Sequence, residues 1–167
     1  MARRIALSLQ EAGYPVMVLG REPIPPFEFQ KDREANQGPL RTLADVHPDA
    51  PKFFAVSCDI PRFDARIVEV LDKKLDSYEA VVPCLRGEAQ PLCALYRTQA
   101  LEVARSLVSQ GERKMKEWLR HLRVREIGEE EILSEGLALE CLENANTPED
   151  WGRLMGAPPF DPREERF

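Results

Sequence analysis

Hydrophobic positions along the chain change between a helical and an extended spacing, which predicts helices interleaved with short strands. In residues 2–13, Ile5, Leu9 and Ala12 fall on one helical face, and Gly13 is suited to end that helix. The same spacing predicts further helices at residues 64–75, 98–111 and 112–122. Short apolar runs predict strands at residues 15–20, 52–58, 79–84 and 91–96, with a weaker strand at 137–142.

Proline and glycine mark the connections between these elements. Three prolines within four positions predict a long loop over residues 21–38, because proline has no N–H to donate to a helix. A short helix is predicted over residues 38–46, with Pro39 at its first helical position. The glycine-containing segment 85–90 predicts a hairpin link between the strands on either side.

Capping residues predict where two other helices begin. Asp64 is placed to cap the helix that follows it. Thr147 and Asp150 form the pattern of a reciprocal capping box, with Pro148 at the first helical position. A helix is therefore also predicted from residue 148.

The order of these elements predicts the fold class. Helices and strands alternate, with one hairpin interrupting the alternation, which is typical of a three-layer α/β domain with a mostly parallel mixed sheet. The run at residues 52–58 is apolar on both faces, so we expect a central strand covered by helices. We expect residues 1–155 to form this domain and residues 156–167 to be a loosely ordered tail.

Composition argues against several classes of protein. The net charge is −6 and no stretch is a basic block, so nucleic-acid binding lacks its electrostatic contribution. No apolar run approaches the roughly 18 residues of a membrane span. Four widely spaced cysteines and two histidines fit neither a zinc site nor a disulfide framework. We expect four reduced thiols and a cytoplasmic protein.

One carboxylate stands out, because Asp59 directly follows the apolar run at residues 53–58. Ligands of open α/β sheets bind beyond the carboxyl ends of the strands, which is where this run places Asp59. A carboxylate there is costly unless it meets a cation or several donors, and Mg²⁺ binds one or two carboxylates together with phosphate oxygens. Alternatively, Asp59 caps the next turn, as in many Asp-x-Pro stretches. The residue pattern supports both interpretations.

Five motifs in one order resemble those of the molybdenum cofactor guanylyltransferases, which are nucleotidyltransferases with a Rossmann-like fold. An aspartate precedes a Gly-Pro-Leu helix start, and a strand leads to Cys-Asp-x-Pro. A Gly…Gln-Pro-Leu…Leu-Tyr hairpin, a Gly-x-Arg segment and an Asn-x-Asn-Thr-Pro-Glu-Asp helix cap follow. The matching positions are Asp32, Gly38, Pro39 and Leu40; Cys58, Asp59 and Pro61; Gly87, Gln90, Pro91, Leu92 and Tyr96; Gly111 and Arg113; and Asn144, Asn146, Thr147, Pro148, Glu149 and Asp150.

This resemblance implies transfer of GMP from GTP to the terminal phosphate of molybdopterin, with release of pyrophosphate. It implies Mg²⁺ as the cofactor, held by Asp59, which would be the catalytic residue. The resemblance also implies that the nucleotide is bound by Asp59 together with Asp32, Gly38, Pro39 and Leu40.

The same resemblance implies an acceptor site formed by amide side chains. Gln90, Asn144 and Asn146 would bind the pterin, and the asparagines favour the guanylyl branch over related cytidylyltransferases, which usually carry aspartate there. Turn chemistry leading into the Thr147 cap is an alternative explanation for both asparagines. GTP and molybdopterin are the implied ligands, with molybdoenzymes or cofactor chaperones as implied protein partners.

The family's first strand and its Gly-Gly-x-Ser-x-Arg-Met-Gly loop have no counterpart in the 167 residues. Backbone N–H groups and basic side chains of that loop would cradle the triphosphate. We therefore expect a fold without its first strand, unpaired sheet edges beside the gap, and no GMP transfer by this chain alone. A sequence that starts too late would explain the gap. Alternatives are a non-enzymatic remnant or binding protein, or a nucleotidyltransferase for another phosphorylated substrate.

Overall fold

Helices and strands alternate along the chain in the computed structural model, which describes residues 1–32 and 38–156. The helices are α1 (Ala2–Glu11), α2 (Pro39–Ala44), α3 (Arg66–Asp72), α4 (Ala100–Ser109), α5 (Met115–Arg120), α6 (Glu129–Ser134) and α7 (Pro148–Met155), with a 3₁₀-helix at Leu139–Leu142. The strands are β1 (Met17–Gly20), β2 (Glu28–Lys31), β3 (Lys52–Val56), β4 (Ala80–Leu85), β5 (Glu88–Ala89), β6 (Cys93–Arg97) and β7 (Val124–Ile127).

The main sheet is mixed and has β4 at its centre. β4 pairs antiparallel with β6 and with the short β5, and parallel with β7. β6 in turn pairs antiparallel with β3. β3, β4 and β7 therefore run in one direction and β6 in the other, which confirms the predicted mixed α/β sheet with its hairpin interruption.

Alternate residues of β4 and β6 supply two hydrophobic cores, one on each face of the sheet. Val81 and Leu95 belong to the first core, which is covered by α1 and α3. Ala80 and Tyr96 belong to the second, which is covered by α2, α4 and α5. In the second core the ring of Trp118 stacks on Tyr96 at 4.6 Å between centroids. The three predicted layers are confirmed.

The predicted loop at residues 21–38 contains a strand, so that prediction was wrong in part. β2 pairs in parallel with β1, with Val18 opposite Phe29, in a separate two-stranded sheet. The prolines end before this strand, and buried Phe27 anchors its start. Residues 21–27 form bends and turns, as predicted for this loop, and residues 33–37 lie outside the described part of the chain.

β3 is an edge strand of the main sheet, and our expectation of a central, fully covered strand was wrong. In the described residues β3 pairs with β6 alone, and Ala55 is its only buried side chain. Phe53 and Phe54 are half-buried because they lie along the open edge. Within the described residues, β3 therefore leaves one of its edges unpaired, which agrees with the expectation of unpaired sheet edges.

The other predicted elements are confirmed except near residues 124–142. Leu139–Leu142 forms a 3₁₀-helix rather than a strand, while β7 and α6 were missed. An apolar run this short does not distinguish a strand from a helical turn. α3 begins after Ala65 rather than at Asp64, although Asp64 Oδ1 accepts a hydrogen bond from the Arg66 backbone N–H at 3.0 Å.

No helix within residues 1–32 and 38–156 combines the length and the apolar character needed to cross a bilayer. The predicted tail lies outside the described residues from position 157 onward.

Candidate functional site

Asp59 lies in a turn just beyond the end of β3 and is half-buried. Ile60 and Pro61, the next two residues, are buried and fix the turn to the first core. The Ser57 hydroxyl donates a hydrogen bond to Asp59 Oδ1, which orients the carboxylate and leaves Oδ2 for another partner. Asp59 therefore lies just beyond the carboxyl end of β3, the position that the sequence predicted, and Ser57 orients its carboxylate.

One backbone hydrogen bond joins this turn to the Gln-Pro-Leu motif. The Ser57 N–H donates to the Leu92 carbonyl at 2.8 Å. Gln90 begins the same motif, and its N–H donates to the Pro83 carbonyl at 2.8 Å, while its side chain donates to the Glu88 carbonyl at 3.1 Å. The hairpin that carries Gln90 is thus fixed next to the Asp59 turn.

A second backbone hydrogen bond joins the turn to the asparagine motif. The Ala145 N–H donates to the Asp59 carbonyl at 2.8 Å. Asn144 and Asn146, on either side of Ala145, are both exposed. The structure therefore brings together three motifs that are separate in the sequence, and leaves both asparagine side chains open to a ligand.

The capping box predicted for α7 is present and fixes the end of the asparagine motif. Asp150 N–H donates to Thr147 Oγ1 at 3.1 Å, and Thr147 N–H donates to Asp150 Oδ2 at 3.1 Å. The hydrogen bond from the Thr147 hydroxyl lowers the pKa of Asp150 below its usual value. This cap explains Thr147 and Asp150 structurally, and the backbone of Asn146 also bonds to Asp150, whereas the asparagine side chains remain exposed.

A buried carboxylate, which sequence reasoning missed, fixes the start of the asparagine motif. Glu143 is 8% exposed and binds Arg86 Nη2 at 2.8 Å and Arg153 Nη1 at 2.6 Å. The Arg86 N–H also donates to Glu129 Oε1 at 2.6 Å. Glu143 therefore links the β4–β5 turn to α7. We call its ion pairs with Arg86 and Arg153 the Glu143 clasp. The position of Glu143 between a buried run and Asn144 is the signal that could have identified it.

The residues predicted for the nucleotide lie in a separate group. Asp32 follows β2, and its N–H donates to the Gly20 carbonyl at 2.8 Å. Gly38 has φ of 82°, and a Cβ there would lie 3.4 Å from the Arg113 carbonyl oxygen, so the Gly-Pro-Leu and Gly-x-Arg motifs are adjacent. Leu40 is fully buried, and its side chain packs in the second core. Among the described residues, no hydrogen bond joins this group to the Asp59 turn.

Residues 1–127 match the model of the family described as the MobA-like NTP transferase domain. The chain belongs to this family. Two similar proteins are each named "Probable molybdenum cofactor guanylyltransferase". The one from Bacillus velezensis is 30% identical over 126 residues, covering 74% of this chain and 62% of that protein. The one from Carboxydothermus hydrogenoformans is 27% identical over 127 residues, covering 75% and 64%. The chain spans less than two thirds of these relatives.

The fold of this MobA-like domain is similar to a solved structure from Archaeoglobus fulgidus, that of molybdopterin-guanine dinucleotide biosynthesis protein A. The TM-score is 0.75 at 20% identity, and the match covers 90% of this chain and 83% of that chain. At this identity the likeness shows the fold, and it confirms the predicted nucleotidyltransferase fold class.

The carboxylates of the MobA-like domain fit a metal ion that arrives with phosphate groups. The described residues contain no group of three or more His, Cys, Asp or Glu side chains that could hold a metal. Asp59 offers Oδ2, and Asp32 Oδ1 is buried without a hydrogen-bond partner. Mg²⁺ commonly takes one or two carboxylates and completes its shell with water and substrate phosphate oxygens. Among the described residues, Asp59 therefore suits a cation that arrives with a nucleotide.

Proposed function

We propose that the protein is a molybdenum cofactor guanylyltransferase domain, which takes part in transfer of GMP from GTP to molybdopterin. The observation that carries this proposal is the junction at Asp59, where Ser57 bonds to Leu92 and Ala145 bonds to the Asp59 carbonyl. It places a carboxylate between the Gln90 hairpin and the two exposed asparagines. The family and the names of the similar proteins support the same reaction.

The amide side chains are suited to the acceptor. Asn144 and Asn146 each offer a carbonyl oxygen and an NH₂ group, so they can bind a neutral heterocycle that both donates and accepts hydrogen bonds. A carboxylate in either position would repel the acceptor's phosphate. The Glu143 clasp and the Thr147 cap fix the two ends of this motif. The motif can therefore present its amides with little further ordering on binding.

The carboxylates are suited to the metal and the nucleotide. We propose that Asp59 holds Mg²⁺ with the nucleotide, where the ion would neutralise charge on the α-phosphate and the leaving pyrophosphate, and that Asp32 lies at the nucleotide. Ser57 would keep Asp59 oriented through its hydrogen bond to Oδ1. Gly38 allows the chain to pass close to Arg113, which would bring a basic side chain to the nucleotide side.

The reaction exchanges one phosphoanhydride bond for another. An oxygen of the molybdopterin phosphate forms a bond to the α-phosphorus of GTP, and the bond from that phosphorus to pyrophosphate breaks. The chain supplies positioning and charge rather than a covalent intermediate. Backbone N–H groups of a glycine-rich loop would cradle the triphosphate. The 167 residues contain no such loop, so we expect transfer only when one is supplied.

The experiment compares this chain with one extended at its N-terminus by the corresponding segment of the Bacillus velezensis relative. Each is incubated with GTP labelled in the α-phosphate, Mg²⁺ and one acceptor: molybdopterin, a sugar phosphate or none. We expect labelled dinucleotide only from the extended chain with molybdopterin. Labelling of the sugar phosphate would favour the alternative of another phosphorylated substrate. Pterin binding without transfer by either chain would favour a binding protein.

A further inference from the structure

Three arginines from separate elements line one open cleft of about 550 Å³. Arg4 comes from the first turn of α1, Arg62 from the turn that follows Asp59, and Arg153 from α7. The remaining lining residues are Leu154, Met155 and Gly156 at the end of α7. The cleft therefore concentrates positive charge in a protein whose net charge is −6.

The backbone beneath these arginines is well anchored. Ile5 is buried next to Arg4, Pro61 is buried next to Arg62, and Leu154 is buried next to Arg153. The three Cα positions are thus fixed by the protein core, while the guanidinium groups are exposed. A ligand that gathers these groups would order only the side chains, which keeps the entropic cost of binding low.

Two of the three arginines have no acidic partner within residues 1–32 and 38–156. Arg153 is already paired with Glu143 and Asp150. Arg4 and Arg62, by contrast, form no ion pair with any described carboxylate, and both are exposed. The cleft therefore holds two positive charges without an acidic partner beside a third that is paired with two carboxylates.

We propose that this cleft binds a phosphate group, as inorganic phosphate or as the terminal phosphate of a phosphate monoester. Planar guanidinium groups match the oxygens of a phosphate in paired hydrogen bonds, which a single lysine ammonium cannot do. Arg4 and Arg62 supply the main contacts, and Arg153 adds a third donor group from α7. This inference does not rest on the proposed function, because phosphate binding requires neither GTP nor a pterin.

Titration calorimetry with inorganic phosphate at low ionic strength tests the inference. The variants are Arg4→Gln and Arg62→Gln, since Arg153→Gln would also break the Glu143 clasp. Arg3→Gln is the matched control: it lies beside Arg4 on α1, is also exposed, loses the same charge and does not line the cleft. Circular dichroism of each variant checks that the fold is unchanged.

We expect saturable binding by the wild type, weakened about fivefold by Arg4→Gln and by Arg62→Gln and nearly unchanged by Arg3→Gln. Competition by glycerol 3-phosphate, but not by glycerol, would identify a monoester as a ligand of the same cleft. Saturable phosphate binding without competition by glycerol 3-phosphate would restrict the ligand to the free anion. Absence of saturable binding, or equal weakening by all three variants, would overturn the inference, since binding would then reflect net charge only.

Discussion

The Ala145 N–H donates a hydrogen bond to the Asp59 carbonyl at 2.8 Å, and this bond joins the turn after β3 to the loop before α7. These two segments are far apart in the sequence, yet the bond places Asn144 and Asn146 on either side of the residue that contacts Asp59. Under the proposed function, this polar loop and this carboxylate turn would form a two-sided site, with amides on one side and an acid on the other.

Changing the amides to carboxylates should weaken pterin binding. We expect Asn144→Asp and Asn146→Asp each to raise the Kd for molybdopterin about tenfold, because a carboxylate repels the ligand's phosphate. Pterin fluorescence quenching measures this Kd. Gln110→Glu is the control, because Gln110 is an exposed amide at the end of α4 and the change adds the same charge. Equal weakening by the control would mean that net charge, not the site, governs binding.

Removing the Glu143 carboxylate should increase the local mobility of the asparagine motif and lower the stability of the whole protein only slightly. Arg86 and Arg153 have side chains that are 67% and 51% exposed, so both stay solvated when Glu143→Gln removes their partner. We expect the free energy of unfolding to fall by about 1 kcal/mol, and the amides of residues 143–147 to exchange hydrogen faster. Hydrogen-exchange mass spectrometry measures the second effect.

Glu117→Gln is the control for this prediction, because it removes an exposed ion pair with Arg120 on α5. It should leave exchange at residues 143–147 unchanged. If Glu143→Gln also leaves that exchange unchanged, the clasp does not hold the motif.

The capping box of α7 should make a pH-dependent contribution to stability. The Thr147 hydroxyl holds the pKa of Asp150 below its usual value, so the carboxylate stabilises the folded state above the unfolded pKa near 4. This contribution is lost as the pH falls through the lower, folded pKa. The difference in Tm between the wild type and Asp150→Asn should therefore be larger at pH 7 than at pH 3. An equal difference in Tm at both pH values would contradict this account.

The four cysteines should differ in reactivity although all are free. Cys58 is exposed, whereas burial raises the pKa of Cys84 and of Cys141 to about 11 and raises that of Cys93 as well. Since the thiolate is the reactive form, we expect one fast thiol with Ellman's reagent at pH 8 and four in denaturant. Cys58→Ser should abolish the fast phase. Fewer than four thiols in denaturant would contradict the absence of disulfides.

The sequence was sufficient to predict elements with strong local signals. The Thr147–Asp150 capping box, the proline start of α2 and the amphipathic face of α4 are encoded within a few residues, and each was predicted correctly. Strand β2 was missed because the prolines before it dominated the interpretation. The 3₁₀-helix at Leu139–Leu142 was mistaken for a strand because a short apolar run shows neither a helical nor an extended repeat of hydrophobic positions.

The parts of the site that depend on tertiary contacts could be predicted less well. The structure joins Asp59 to the asparagine motif through the Ala145 N–H, and this contact links residues far apart in the sequence. Motif order could not show that Glu143 is buried between two arginines, because that pairing joins residues from three elements. Nor could it show that β3 is an edge strand, because burial of an apolar run depends on its neighbours.

The most direct test of the proposed function is the effect of Asp59→Asn on GMP transfer by the extended chain, measured with labelled GTP, Mg²⁺ and molybdopterin. Asp64→Asn, five positions further on, removes an equal charge where the carboxylate is paired with Arg66. We expect Asp59→Asn to slow transfer by about 100-fold, because it removes a carboxylate that would hold the cation, and Asp64→Asn to leave the rate nearly unchanged. Transfer by Asp59→Asn at the wild-type rate would contradict the assignment of Asp59 to the reacting phosphates.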